Sequence, residues 1–274
     1  MQPLVSICIP AYNNAAYIKD TIDSILNQTY TNLELVIVDD KSKDNTVEVI
    51  KSIPDERIRL YENEKNLGMS GNWNHCLELC RGEFIKLICA DDMLAKDAVE
   101  KEAQALIDHP DVVMAESDTR LVDLNGKYKG WYRRYRTKGV ENGKKIARKG
   151  FFSQNYFGAP LANMFRKSVL DEVHGFDTHY YYILDYDLWV RIACLGNVYI
   201  IHEPLNFFRV RNDSNTGEVM AGDKTETYVK EHRYLVEKHA RELHMSKFEV
   251  ELSVLIRRLR NFAGSVYLKL FVHD

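Results

Sequence analysis

No apolar run in this chain approaches the ~18 residues that a membrane-spanning helix requires. The cysteines form no even set, positive charge is not in surplus, and no low-complexity linker interrupts the sequence. The first absence excludes a spanning helix. Five cysteines (Cys8, Cys76, Cys80, Cys89 and Cys194) build no disulfide framework. Cys8 and Cys89 sit in apolar, strand-like runs, where a thiol behaves as a small hydrophobe. Cys76 and Cys80 are four apart on an expected helix, and no His or Cys pair completes a zinc pattern. A reduced, cytoplasmic setting is the expectation. Strand-like apolar sequence begins by Leu4, so no secretion signal is expected. A net charge of −3 excludes a general affinity for nucleic acid. Neither GxxxxGK[ST] nor GxGxxG occurs, so the P-loop and dinucleotide fingerprints are excluded too.

What is present is the balance of a globular protein: 274 residues, 45% apolar and 28% charged. The first 115 residues alternate between two periods. LVSICI (4–9), LELVIV (33–38), RIRLYE (57–62) and FIKLICA (84–90) read as strands, and VVMAES (112–117) as a fifth. Between them, helical spacing predicts a helix capped by Asn14, a short helix through Val47 and Ile50, one from about Gly71 to Cys80, and one ending near His109. Strand–helix alternation with continuously apolar strands predicts an α/β fold, a mostly parallel sheet flanked by helices. Right-handed crossovers then bring PAYNN, DDKS, NEKNLG and ADDM to one edge, where ligands of such sheets bind. Residues 118–160 are less regular and basic. A second α/β-like stretch runs from Asn163 to Phe208, and from about Thr225 the pattern is helical. The expected division is 1–220 as one domain, with 1–115 and 116–220 as its halves, followed by a helical extension over 221–274.

The segment FIKLICADDML (84–94) drives an apolar strand into two adjacent carboxylates, Asp91 and Asp92. A second pair, Asp39-Asp40, ends another strand of the same edge. One member of each pair could simply cap a following helix. Two pairs on one edge make that insufficient, because adjacent ionised carboxylates repel unless a cation or donors intervene. Oxygen-only ligands suit Mg²⁺ or Mn²⁺, and such an ion keeps room for substrate phosphates. A metal-held diphosphate is the natural partner.

PAYN (10–13), VDDKSKDNT (38–46), NLG (66–68), GNWNHCLELCRGEFIKL (71–87), ADD (90–92) and HGFD…LDYDLWVRIACLG (174–196) follow one another in order. Together they resemble the inverting nucleotide-sugar glycosyltransferases of family 2, over about residues 3 to 212. The resemblance implies a GT-A fold and a UDP-sugar donor. It implies that Pro10, Ala11, Tyr12 and Asn13 line the base and ribose pocket, with Tyr12 against the uracil. Asp39 would accept from the base, and Asn66 and Gly68 would let the nucleotide approach the backbone. Asp91 would face the ribose or donor sugar, Asp92 would ligate Mn²⁺ or Mg²⁺, and Asp185 would be the general base. Arg209 matches an arginine of the family, near the diphosphate. Arg211 stands where His is usual, and Leu184 where Glu is usual before the base. From the residues themselves, Asp187 reads as a cap or first-turn acid, which leaves Asp185 to face the cleft.

One carboxylate base and one metal suffice for inverting transfer to an acceptor hydroxyl. The acceptor is a glycan, a lipid-linked glycan or a protein. Between Lys127 and Lys149 ten basic residues face a single Glu141. WYRRYRTKG (131–139) within it reads as a mobile loop gripping an acceptor, or as a solvated loop whose Trp131 packs down. The segment 254–271 is basic and amphipathic, suited to packing, to homo-oligomerisation or to peripheral contact with the inner face of a membrane. Rival readings are a nucleotidyltransferase, for which PAYNN lacks the glycine-rich loop, and a non-catalytic sugar-nucleotide-binding or scaffold subunit.

Overall fold

The computed structural model describes residues 2–132, 135–211 and 224–271, with side chains to Asn261. Arg133 and Arg134 of the basic stretch, the 220/221 boundary, and the later side chains of the amphipathic segment lie outside the described residues.

The first four strands are β1 (Val5–Ala11), β2 (Leu33–Asp39), β3 (Ile58–Glu62) and β4 (Phe84–Leu87). They pair in parallel, in the order β3-β2-β1-β4. Helices α1 (Ile18–Leu26), α2 (Thr46–Lys51) and α3 (Gly68–Leu79) make the crossovers. Alternate residues along the strands enter opposite apolar layers. Ile7, Ile9, Leu35 and Ile37 pack with Ile18, Ile22 and Ile25 of α1, whereas Cys8, Val36 and Val38 pack with Cys76 and Leu77 of α3. Each fully buried side chain of this kind contributes about 1.5–3 kcal/mol, so register and layer are set together.

Beyond β4 the sheet becomes mixed. β5 (Met93–Leu94) leaves the strand path and pairs antiparallel with the far strand β10 (Asn197–Arg209). β6 (Val112–Val122) runs parallel to β10, and β9 (Asn163–Arg166) lies antiparallel between β4 and β6. β4 therefore stops at Leu87, and 88–92 form an irregular step between two strands. Pairing is parallel throughout β1 to β4, whereas the rest of the sheet combines the parallel pair β6 and β10 with antiparallel additions.

The basic region is more regular than its composition suggests. β7 (Tyr128–Tyr132) forms a hairpin with β6, β8 (Gly139–Asn142) edges β10, and α5 (Gly143–Phe151) follows. Trp131 does not pack down; it is 46% exposed on β7. Helix α4 (Ala98–Asp108) covers one face, and α6 (Leu170–Val173) precedes α7 (Leu184–Leu195) on the other. The extension comprises α8 (Thr225–His239) and α9 (Lys247–Phe271). Among the described residues no helix is long and apolar enough to cross a membrane.

One internal feature went unread in the sequence. Lys86, in the middle of FIKL, is fully buried against Glu102 of α4, with Nζ 2.9 and 2.7 Å from the two carboxylate oxygens. Ser117 Oγ donates to the same carboxylate at 2.6 Å, and Lys86 also donates to the Leu161 carbonyl. The charge in the strand is thus a structural pair, unconnected with the aspartates that follow.

Candidate functional site

The parallel registers set Ala11 beside Asp39 and Asp39 beside Glu62, so the carboxyl ends of β1 to β3 share one edge. Two loops leaving it are laced together. Asn13 has φ of +54°, a left-handed conformation that Asn tolerates better than most residues. Its N–H donates to Ser42 Oγ at 2.9 Å, and its side-chain carbonyl accepts from Lys43 N–H at 2.8 Å. Asn14 does not cap α1, which starts at Ile18. Its carbonyl accepts from Tyr17 and Ile18, and its side chain accepts from Tyr12 N–H at 3.0 Å. Tyr12 is left exposed at the rim.

The first aspartate pair divides its work. Asp39 is buried and accepts from Ser42 N–H at 2.9 Å and from the Ser42 hydroxyl. Asp40 takes the amides of Leu67 at 2.7 Å and Gly68 at 3.0 Å, plus Asn63 Nδ2 at 2.8 Å. It therefore caps a helix, but α3 rather than the helix that follows it in sequence. Asn66 Nδ2 closes the same turn on the Asp40 carbonyl at 2.9 Å, and Gly68 supplies the φ of +73° that lets the chain enter α3 there. Asn66 and Gly68 are thus brought to the edge by Asp40.

The second pair differs. Asp91 Oδ2 accepts from Arg211 Nη1 at 3.1 Å. Burial raises its carboxyl above the ordinary range, against the pull of Arg211 and Arg209. Asp92 is buried more completely. Its Oδ1 accepts the Arg209 N–H at 2.9 Å, and among the described residues its Oδ2 has no hydrogen-bond partner. Burial first, and the neighbouring Asp91 second, push Asp92 well above the usual carboxylate range. Arg209 and Arg211 both place their guanidinium carbons over the Tyr17 ring, at 4.9 and 5.0 Å from its centroid. Arg209 reaches Asp20 at 3.3 Å and the Leu124 carbonyl at 3.1 Å. Tyr17 and Asp20, both from the start of α1, were not recognised from sequence, where Tyr17 reads only as helix periodicity.

Asp185 lies in the first turn of α7, half-buried, with Oδ1 accepting its neighbour's N–H from Tyr186 at 2.7 Å. The Cys89 thiol is raised by burial and then by the charges of Asp92, Asp91 and Asp185. Asp187 is a first-turn acid of α7 and not its cap. It is buried against Arg191 at 2.6 Å and Lys238 at 3.0 Å. Burial pushes its carboxyl up, but His239, Arg191 and Lys238 together hold it below the ordinary range. The entry to α7 is held from outside: Glu231 of α8 accepts the amides of Tyr181, Tyr182 and Ile183 at 2.9, 3.0 and 3.2 Å. Where the resemblance leads one to expect an acid at 184, buried Leu184 packs into the core instead.

The acidic and basic side chains gather at the carboxyl edge of the sheet, where ligands of such α/β folds bind. Residues 6–173 match Glycosyl transferase family 2, and the chain belongs to that family. It is a glycosyltransferase with a GT-A fold, which sets aside the nucleotidyltransferase and non-catalytic readings. An uncharacterised protein of Mycobacterium tuberculosis is 32% identical over 228 residues, covering 80% of this chain and 71% of that one. Staphylococcus aureus TarS 1–349, solved with UDP-GlcNAc, superposes with a TM-score of 0.75 at 17% identity over 98% of this chain and 76% of its own. The mannosyltransferase PcManGT of Pyrobaculum calidifontis, solved with GDP-Man and Mn²⁺, gives 0.61 at 19% identity over 99% and 81%.

Proposed function

We propose that this enzyme transfers a hexose-type sugar from a UDP-sugar to an acceptor hydroxyl, with inversion and with a divalent cation. The observation that carries the reading is Asp92 Oδ2, a buried carboxylate oxygen without a partner, set beside a second carboxylate. A buried anion in that state costs free energy unless a cation reaches it. Oxygen-only donors fit Mg²⁺ or Mn²⁺, and Asp92 would be the protein ligand. When bound, such an ion stabilises the negative charge of the departing diphosphate.

The chain's own groups supply the rest. Tyr12 and Asp39, with Pro10 and Ala11 behind them, form the rim for the base, and Asn13, Asn66 and Gly68 hold the loops that shape it. Asp91 faces the ribose or donor sugar. Arg209 and Arg211, steadied by Tyr17, add positive charge beside the diphosphate. Asp185 takes the proton of the acceptor hydroxyl as its oxygen attacks C1 from the side opposite the leaving group. TarS with UDP-GlcNAc supports a UDP-sugar, and PcManGT with Mn²⁺ supports the cation. The acceptor is a glycan, free, lipid-linked or on a protein. The exposed Phe248, Leu255 and Leu259 of α9 support contact with a second copy or, as the other reading, with an inner membrane surface.

The deciding experiment measures UDP released from a panel of UDP-sugars, with GDP-mannose as the contrast, with and without EDTA. Manganese-dependent release, lost in Asp92→Ala, is expected. Asp185→Asn should bind UDP as the wild type does and transfer nothing. EDTA-insensitive release, or transfer that survives Asp185→Asn, would remove the metal or the base from the scheme.

A further inference from the structure

Away from the sheet edge, the end of α7 meets the end of α8. Cys194, in the last turn of α7, is 7% exposed, and His239, the last residue of α8, is 5% exposed. Glu242 follows three residues later. One ligand atom from each of the three lies within 4.8 Å of the other two. His239 Nδ1 is 3.5 Å from Glu242 Oε2.

The atoms turned away from this meeting point are also placed. His239 Nε2 is buried, has no hydrogen-bond partner among the described residues, and stands 4.0 Å from Asp187 Oδ1. Glu242 Oε1 faces Lys144 Nζ at 3.3 Å, from the first turn of α5. Asp187 is itself fixed by Arg191 and Lys238. Two of the three side chains, His239 and Glu242, therefore turn their second polar atom toward a charged group outside the meeting point.

Three chemistries converge here: a thiol, an imidazole nitrogen and a carboxylate oxygen. That set suits zinc, which accepts S, N and O donors, and it does not suit Mg²⁺ or Ca²⁺, which prefer oxygen alone. Zinc-ligating histidines characteristically aim the second ring nitrogen at a carboxylate, and Asp187 Oδ1 stands 4.0 Å from His239 Nε2, on that side of the ring. We propose that Cys194, His239 and Glu242 form a zinc site, separate from Asp92, that fastens the C-terminal helices to α7. Three protein ligands leave the fourth tetrahedral position to water. The site does not depend on the reading of the donor or of the base, so its test can fail while those stand.

The test uses the full chain, stripped with a chelator and titrated with Zn²⁺ in millimolar Mg²⁺. One equivalent should bind. Co²⁺ in its place should show a near-ultraviolet thiolate-to-cobalt band. Cys194→Ser should abolish that band, and Glu242→Gln should weaken zinc binding roughly tenfold or more. Glu242 is 40% exposed, so its variant should fold normally. Asp92→Asn should bind zinc as the wild type does. Zinc should raise the melting temperature of the wild type and not that of Glu242→Gln. No equivalent retained against Mg²⁺, a cobalt spectrum without the thiolate band, or unchanged affinity in Glu242→Gln would each overturn the proposal.

Discussion

Removing the Glu231 carboxylate should damage the catalytic half from a distance. Three consecutive amides, those of Tyr181, Tyr182 and Ile183, end on its two oxygens immediately before α7 begins at Leu184. No side chain of α7's own entry residue caps that helix, so Glu231 does from α8 what a cap normally does locally. A hydrogen bond to a charged group contributes about 1.5–3 kcal/mol, and a whole helix cap about 1–2 kcal/mol. Three amides share one charge, so Glu231→Ala should cost more than a single cap and less than three separate bonds, roughly 2–3 kcal/mol. For a chain of this length that corresponds to a melting temperature lower by roughly 5–10 °C. Glu231→Gln keeps carbonyl acceptance and loses the charge at the helix start, so it should fall about midway. The kinetic consequence is specific. Asp185 sits in the turn that Glu231 holds, whereas the donor rim is built on β1 and β2, so kcat should fall by roughly tenfold with the donor KM unchanged. Differential scanning fluorimetry and initial rates over a donor series read both. An Ala variant that melts within about 1 °C of the wild type, or one that raises the donor KM and keeps kcat, would refute the argument.

Three further outcomes follow from the geometry. Asp92 has a folded-state pKa raised by burial and by Asp91, so the stability it confers is complete below the unfolded value of about 3.9 and is lost as pH rises through the folded value; urea midpoints of the cation-free protein should fall across that window, and Asp92→Asn should flatten the fall while abolishing transfer. Lys86→Met strands Glu102 in the core and should cost about 3–5 kcal/mol, whereas Lys86→Met with Glu102→Leu should recover most of it, as judged by urea unfolding. Gly143→Ala would set a Cβ 2.0 Å from the Ala193 carbonyl oxygen and 2.5 Å from that of Gly196, so backbone must move; a loss of about 1–3 kcal/mol or failure to fold is expected, read from soluble yield and melting temperature.

The first 115 residues were legible because their information is local and periodic. LVSICI and LELVIV are buried on both faces and fall within a residue or two of β1 and β2, and α1 follows from Ile18, Ile22 and Ile25. The second half was less legible because its strands depend on partners far away. β5 has two residues and exists only through Asn206 and Phe207 of β10. β7 and β8 are short and depend on β6 and β10 for their pairing, whereas α5 was readable: Ile146, Ala147, Gly150 and Phe151 fall on one face, and Asn142, whose side chain accepts from Lys145 N–H at 3.0 Å, caps it. Glu231 could not have been assigned from sequence, since nothing local says that a carboxylate on one helix will serve amides 48 to 50 residues earlier.

The two aspartate pairs show what separates a structural carboxylate from a chemical one. Asp39-Asp40 and Asp91-Asp92 look alike in sequence: each follows an apolar run, and each could cap. In the fold, Asp40 meets three donors and Asp39 two, all from the protein, so that pair is satisfied before any ligand arrives. Asp91 has Arg211, and Asp92 has one amide and an oxygen that nothing answers. The difference arises because β2 ends beside a loop whose amides reach Asp40, while the step after β4 offers Asp92 a single amide, that of Arg209 in β10. A protein that left such an oxygen buried for no purpose would bear a cost that Asn at 92 would relieve. Asp at that position is therefore explained best by a partner that pays with positive charge, and stability gained by Asp92→Asn alongside activity lost is the signature to look for.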